Sequence, residues 1–135
     1  MIEEKDLTSV NVLCEKINFE INRDKLHEEL GKEIENEINI GWGLKAIKKD
    51  NKGLRFGLDF KIKSTIISGE INLTMFITTD RPITNEEGSS KENHKFIIKK
   101  SLPYIAMWVS ESTAKMGIVP FVVSYDEMAA VIDKG

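Results

Sequence analysis

The sequence predicts an α+β fold, in which one four-stranded antiparallel sheet with a crossover after strand 1 is followed by a long and a short helix. Apolar and polar residues alternate in the first part of the chain, which is the period of half-buried strands. After the polar stretch Thr84–Asn93, whose composition is typical of a linker, apolar residues recur with helical spacing. The 135 residues, 41% hydrophobic and 30% charged, suit one domain spanning residues 1–135.

Strands 2 to 4 have the clearest alternation. Every second residue is apolar in Leu54–Ile62 and again in Ile71–Ile77, and the Ser-Gly chemistry of Ser64–Gly69 predicts a turn that joins them as a hairpin. Apolar residues also share one parity in Ile38–Leu44. The segment Asp50–Gly53 predicts a turn in which Gly53 takes a positive φ. These segments should form a three-stranded antiparallel meander.

The first strand, about Ser9 to Ile21, is less regular. Val10 lies on one parity and Phe19 on the other, so we expect a bulge or a change of partner near Cys14 to Lys16. The charged segment Asn22–Glu37 follows, and it is long enough to cross the sheet. Its apolar residues are spaced by four, which admits a short helical turn: Leu26, Leu30 and Ile34.

Two helices are predicted after the polar stretch. Ser101 as cap, with proline in the first turn, starts a helix over about Leu102 to Met116, and Gly117 is placed to end it in the left-handed conformation. Ser124 caps a short final helix, Tyr125 to Asp133, with a glutamate three residues on as in a capping box.

The order of these elements and several short segments resemble the SecB-like protein-export chaperone family. Lys16–Glu20 is similar to the family's segment at the end of strand 1. Leu102–Ala106 resembles the start of its long helix, Met116–Phe121 the stop of that helix, and Tyr125–Met128 its last helix. The likeness covers roughly residues 10–132 in order and spacing.

The resemblance implies an ATP-independent molecular chaperone that binds unfolded or export-bound polypeptides in hydrophobic grooves, and a homotetramer built as a dimer of dimers. The implied groove comprises Ile34, Ile38, Ile40, Trp42, Val119, Phe121, Val122 and Val123. The implied oligomer interface on the long helix comprises Tyr104, Trp108, Val109 and Ser112. The SecA translocase or a toxin-antitoxin pair would be the partner system, and a phage-encoded or Gram-positive role stays open.

The charge and the apolar content of the chain argue against several other classes of protein. The net charge of -3 disfavours binding to nucleic acid or to an anionic membrane. No apolar run approaches the roughly 18–20 residues of a membrane span. Because the amino end is acidic rather than signal-like, we expect a cytoplasmic protein.

The sequence offers no constellation for catalysis, for a metal or for a cofactor. Its one cysteine, Cys14, is expected to be a small core residue, and the two histidines lie far apart. Gly41–Gly43 lacks the third glycine of a phosphate cradle. The lysines of Lys45–Lys52 are interpreted as a solvated hairpin, with RNA or an acidic partner as the alternative.

Three questions stay open at this stage. Trp42 is assigned evenly to core, groove or subunit contact, because its ring is large and its N–H needs a partner. The protein could instead be an adaptor or toxin-antitoxin-associated binding module that recognises one folded partner. It could also be a small oligomeric enzyme with an inter-subunit pocket that uses groups such as Tyr104.

Overall fold

A computed structural model of the chain describes residues 1–28, 36–117 and 121–135, without the side chains of 26–28. The strands are β1 (Leu7–Ile21), β2 (Glu37–Ile47), β3 (Gly53–Lys63) and β4 (Ile67–Thr79). The helices are α1 (Arg23–Glu28), α2 (Asn85–Ser89), α3 (Lys91–Ile98), α4 (Leu102–Lys115) and α5 (Tyr125–Lys134). Short 3-10 turns cover Glu4–Asp6 and Lys99–Ser101. The predicted α+β order is therefore confirmed.

Within the described residues, four strands form one antiparallel sheet in the order β1-β4-β3-β2. The meander of β2, β3 and β4 is confirmed, and β1 pairs with β4, so β1 and β2 lie at opposite edges. The segment after β1 therefore carries the chain across the sheet, and α1 is its short helical turn. Leu30 and Ile34 of this crossover lie outside the described residues.

The predicted irregularity in β1 is a shift of register between Cys14 and Lys16. It places Phe19 opposite Gly69 of β4, on the buried face of the sheet. A Cβ atom at Gly69 would stand 2.1 Å from Cδ1 of the Phe19 ring, so only glycine leaves room for that ring.

Two turns differ from the prediction. Asn51, not Gly53, takes the left-handed conformation between β2 and β3, with φ 59°, because asparagine enters this region more readily than most other non-glycine residues. Gly53 is instead the first residue of β3. The next turn is shorter than Ser64–Gly69, since β4 already begins at Ile67 and the Ser64 hydroxyl accepts the Ile67 N–H at 3.0 Å.

The prediction of a linker over Thr84–Asn93 is wrong, because the stretch forms α2 and the start of α3. The Thr84 hydroxyl accepts the Glu87 N–H at 3.1 Å, while the Thr84 N–H donates to the Glu87 carboxylate at 3.2 Å, which is a capping box. The Ser90 hydroxyl caps α3 by accepting the Asn93 N–H. Small polar residues therefore start helices here rather than break them.

The start of α4 also differs in detail. Ser101 has helical backbone angles and makes no side-chain cap; its hydroxyl donates to the Ile98 carbonyl at 2.7 Å, because the chain is already helical through α3 and the 3-10 turn. Proline in the first turn is confirmed. Gly117, with φ +82°, ends α4 as predicted, and the Ser124 hydroxyl caps α5 through the Glu127 N–H.

The core lies between one face of the sheet and helices α3, α4 and α5. We call this the inner face, and the opposite face the outer face. β3 and β4 contribute fully buried residues such as Phe56, Phe60, Ile71 and Met75. The helices contribute Ile97, Ile98, Leu102, Ile105, Met128 and Ile132 to the same cluster.

Candidate functional site

Three apolar residues of β2 form a half-buried row at the edge of the inner face, which we call the β2 row: Ile38, Ile40 and Trp42. Each lies opposite an almost completely buried residue of β3, namely Ile62, Phe60 and Leu58. The β2 residues are less buried because β2 is an edge strand with a sheet neighbour on one side only. The row therefore extends the core surface to the margin of the molecule.

Helix α5 packs against β2 and partly covers Trp42. The Trp42 ring atom Cη2 lies 2.7 Å from the place where a Cβ atom at Gly135 would stand. Trp42 is thus partly a core residue and partly a surface residue, whereas Ile38 and Ile40 precede it along the same row.

The segment 121–124, which leads into α5, presents three apolar residues with different environments. Phe121 is half-buried, and its N–H donates to the Thr113 hydroxyl at 2.7 Å. Thr113 is fully buried near the end of α4, and its hydroxyl donates in turn to the Val109 carbonyl at 3.0 Å. Val122 is 79% exposed. This segment is therefore fixed to α4 at one residue and open to solvent at the next.

The structure places the predicted groove residues in two groups that α5 connects, since α5 follows the segment 121–124 and packs against β2. Ile34 and Val119 lie outside the described residues. The assignment of Val123 to the groove is corrected. Val123 is only 3% exposed, because it points into the core with Met128 and Ile132, so its side chain has no surface for a ligand.

The exposed side of α4 carries a second apolar surface, which we call the α4 face: Tyr104, Met107 and Trp108. Tyr104 is 41% exposed and Met107 45%, and the rings of Tyr104 and Trp108 are 6.1 Å apart. The half-buried Ser112 lies one turn further on. The assignment of Val109 to the oligomer interface is corrected, because this side chain is fully buried in the chain's own core and leaves no surface for another subunit.

The sequence prediction missed an apolar pair on the outer face. Phe76 of β4 is 42% exposed and Leu13 of β1 is 55% exposed. Phe76 borders a depression of about 670 Å³ whose lining includes the directly paired Gly43 and Gly57. The sequence signal for this pair was Phe76, a large apolar residue at a position of β4 where the alternation predicts a polar, exposed one, between two buried residues.

The strongest electrostatic cluster lies away from these surfaces. Arg81 donates to both oxygens of Glu87 at 2.9 and 2.7 Å and to Asp6 at 3.2 Å. The Arg81 guanidinium lowers the pKa of Glu87 to about 2, with a contribution from the Thr84 N–H. The pKa of Asp6 is lowered by the Glu3 N–H and by Arg81. These groups fasten the amino-terminal segment to the loop after β4.

The other chemical features of the described residues are sparse. Burial raises the pKa of the Cys14 thiol, which opposes formation of the thiolate. Among these residues there is no group of three or more His, Cys, Asp or Glu side chains placed to hold a metal ion. None of the helices in this part of the chain has the length and apolar content to span a membrane.

Comparison with known proteins assigns the fold. No family model and no curated protein matches the sequence. Among solved structures, the chain has the fold of a SecB-like chaperone, as its order of elements predicted. That structure is the Mycobacterium tuberculosis Rv1957 SecB-like chaperone in complex with a ChAD peptide from the Rv1956 HigA1 antitoxin. Its TM-score is 0.66 at 9% identity, with 87% of this chain and 86% of that chain covered.

A protein of unknown function from Streptococcus agalactiae also aligns, with a TM-score of 0.47 at 13% identity, covering 87% of this chain and 99% of that one.

Proposed function

We propose that this protein is a non-enzymatic, ATP-independent chaperone that holds unfolded polypeptide segments against the β2 row and the segment 121–122. The observation that carries the proposal is the pair of apolar surfaces joined by α5. The β2 row continues the core to the sheet edge, and Val122 stands 79% exposed beside the half-buried Phe121. The SecB-like fold supports this assignment.

The energetics of such a site follow from apolar burial. Covering apolar surface stabilises a complex by ~25 cal/mol per Å², or about 1.5–3 kcal/mol for each large aliphatic or aromatic client side chain. A micromolar dissociation constant corresponds to about -8 kcal/mol, so several such side chains are needed to reach it once the cost of association and of ordering the client is subtracted. Because these contacts are not directional, the site should accept many sequences that supply closely spaced apolar residues.

We further propose that the α4 face joins copies of the chain into the homotetramer implied by the resemblance. Tyr104, Met107 and Trp108 give this helix an apolar side that no described part of the chain covers completely. Aromatic residues of this kind are enriched at the centres of protein interfaces. The interface residues Tyr104, Trp108 and Ser112 remain assigned to this contact, without Val109.

The proposed clients are polypeptides in the cytoplasm. Rv1957 is described in complex with an antitoxin peptide, which favours an antitoxin-like segment as one client of the present chain. Export-bound chains delivered to the SecA translocase are the other proposed class. Binding measured separately to an isolated antitoxin-type peptide, to an unfolded secretory precursor and to purified SecA assigns the chain to one of these systems.

The central experiment is titration with several unrelated, reduced and unfolded proteins, combined with suppression of their aggregation. Val122→Asp places a charge in the proposed site and should weaken client binding about tenfold or more, and Phe121→Asp should weaken it further. Ser68→Asp is the matched control, because Ser68 is also exposed but lies on the outer face of β4, opposite Lys63. Equal client binding by wild type and Val122→Asp would refute the assignment of this site, and binding to a single native protein only would favour an adaptor.

Assembly is tested independently by light scattering. A mass four times that of the 15.3 kDa chain is expected. Met107→Glu should reduce the mass while leaving the sheet intact. A wild-type monomer at micromolar concentration would refute the tetramer without deciding whether the β2 row binds clients.

A further inference from the structure

The outer face carries a row of cations whose placement depends on two glycines. We call it the basic row: Lys48, Arg55 and Lys45. A Cβ atom at Gly53 would stand 2.6 Å from Cδ of Lys48, and one at Gly57 would stand 2.8 Å from Cε of Lys45. The stems of both lysines therefore lie flat across β3, on either side of Arg55. Residues two apart on a strand are about 6.8 Å apart, so the three side chains lie over successive outer-face positions of β3.

An exposed aromatic ring lies beside this row. Phe76 of β4 is the direct cross-strand partner of Arg55 and is 42% exposed. Leu13 of β1, 55% exposed, is the diagonal neighbour of Phe76, a relation that spans about 7–8 Å between backbones. The surface thus combines an apolar centre with cations along one side, which is the arrangement of a protein-docking patch rather than of a solvated hairpin.

The cations of the basic row have no acidic partner among the residues that the structure describes. Three carboxylates of the outer face have partners of their own, and two of them, Glu15 and Asp59, line the same depression as Lys45 and Arg55. Glu70 pairs with Lys16 at 3.0 Å, Glu15 accepts the Thr74 hydroxyl, and Asp59 accepts the Asn72 amide. The segment from Lys45 to Arg55 holds five cations and one acid, Asp50, within a chain of net charge -3. An incoming carboxylate is therefore the complement that this surface lacks.

We propose that the basic row, with Phe76 and Leu13, docks an acidic polypeptide segment that carries an apolar anchor residue. Its carboxylates would pair with Lys45, Lys48 and Arg55, while the anchor contacts Phe76. A nucleic acid fits less well, because the row is only about 14 Å long and offers one ring, whereas single-stranded binders track about four or more nucleotides over successive aromatics. This surface lies on the opposite face of the sheet from the β2 row, so its role is separate from client holding.

The test uses the full chain and three fluorescein-labelled probes followed by anisotropy. The first is a 12-residue peptide of glutamates around one phenylalanine and one leucine. The second has lysine for every glutamate, and the third is a 12-nucleotide uridine RNA. The acidic peptide should bind and weaken about three- to tenfold between 50 and 200 mM salt, while the lysine peptide should not bind. Equal or tighter binding of the lysine peptide or the RNA would overturn the proposal.

Variants localise the contact. Arg55→Glu should weaken the acidic peptide about tenfold, and the milder Arg55→Gln about threefold. Phe76→Ser should weaken it by a similar factor without changing its salt dependence. Lys63→Glu is the matched control, since it makes the same charge change on the same strand and face at the far end, and it should bind like wild type. Wild-type affinity in folded Arg55→Glu would refute the assignment, whatever the client assay at the β2 row gives.

Discussion

The hydrogen bond from the Phe121 N–H to the Thr113 hydroxyl should control how firmly the segment 121–124 is held. Thr113→Val keeps the shape of this fully buried side chain but removes the acceptor that lies 2.7 Å from the Phe121 nitrogen. A donor that loses its partner costs about 1–3 kcal/mol when buried. Since Phe121 is half-buried and water can reach it in part, we expect about 1–2 kcal/mol.

This free energy should appear as local opening. A change of 1–2 kcal/mol is a factor of about 5–30 in an equilibrium, so the Phe121 amide should exchange its hydrogen faster by that factor in Thr113→Val. Thr113→Ser is the control. It retains the hydroxyl and loses one methyl group, at roughly 0.8 kcal/mol, so it should lower overall stability while leaving the Phe121 amide better protected than in the valine variant.

Amide exchange followed by NMR, with urea unfolding of the same samples, separates the two effects. The reasoning is refuted if the Phe121 amide is equally protected in wild type and Thr113→Val, or if the serine variant exposes this amide more than the valine variant does.

Three further outcomes are expected. In Glu87→Gln the ion pair with Arg81 is lost. Because the pKa of Glu87 is lowered from 4.5 to about 2, the contribution of this ion pair to stability is complete above about pH 5 and disappears as the pH falls to about 2. The unfolding curves of wild type and variant should therefore converge in acid. Val123→Ala should cost about 2 kcal/mol in urea unfolding, whereas Val122→Ala should change stability by less than about 0.5 kcal/mol. Similar values for these neighbours would contradict their exposed fractions of 3% and 79%. Gly117→Ala should cost about 1–2 kcal/mol through its φ of +82°, because no side chain of the described residues lies within 4 Å of the new Cβ. An unchanged midpoint of thermal unfolding would refute this.

The strands were predictable because their pattern and their burial have the same physical origin. Leu54 to Ile62 alternate because one side of β3 is core and the other is not. Of the two alternatives that the parity change in β1 allowed, the structure has the irregular pairing, with a shift of register between Cys14 and Lys16. The prediction of a linker over Thr84–Asn93 was wrong because composition alone does not distinguish a linker from short, capped helices. The capping pair Thr84 and Glu87 was the signal that could have identified α2.

The surfaces were less predictable than the fold. Val109 and Val123 resemble their neighbours in sequence, but burial depends on which side of a helix or turn faces the core, and a one-residue rotation reverses it. The basic row was visible in sequence only as a cluster of lysines. Its geometry depends on Gly53 and Gly57 lying beneath Lys48 and Lys45, which requires the pairing of β2 with β3.

The unequal burial of the strands has a consequence for how the protein can move. β3 and β4 hold the most deeply packed side chains, whereas β2 is bounded by a neighbour on one flank only. Fluctuations should therefore begin at the edge strands, β2 as well as β1, and leave the centre of the sheet intact, so that the edges open and close during the lifetime of the native state. Under the proposed function, a polypeptide bound at β2 would be acquired and released through this fraying, without global unfolding of the protein.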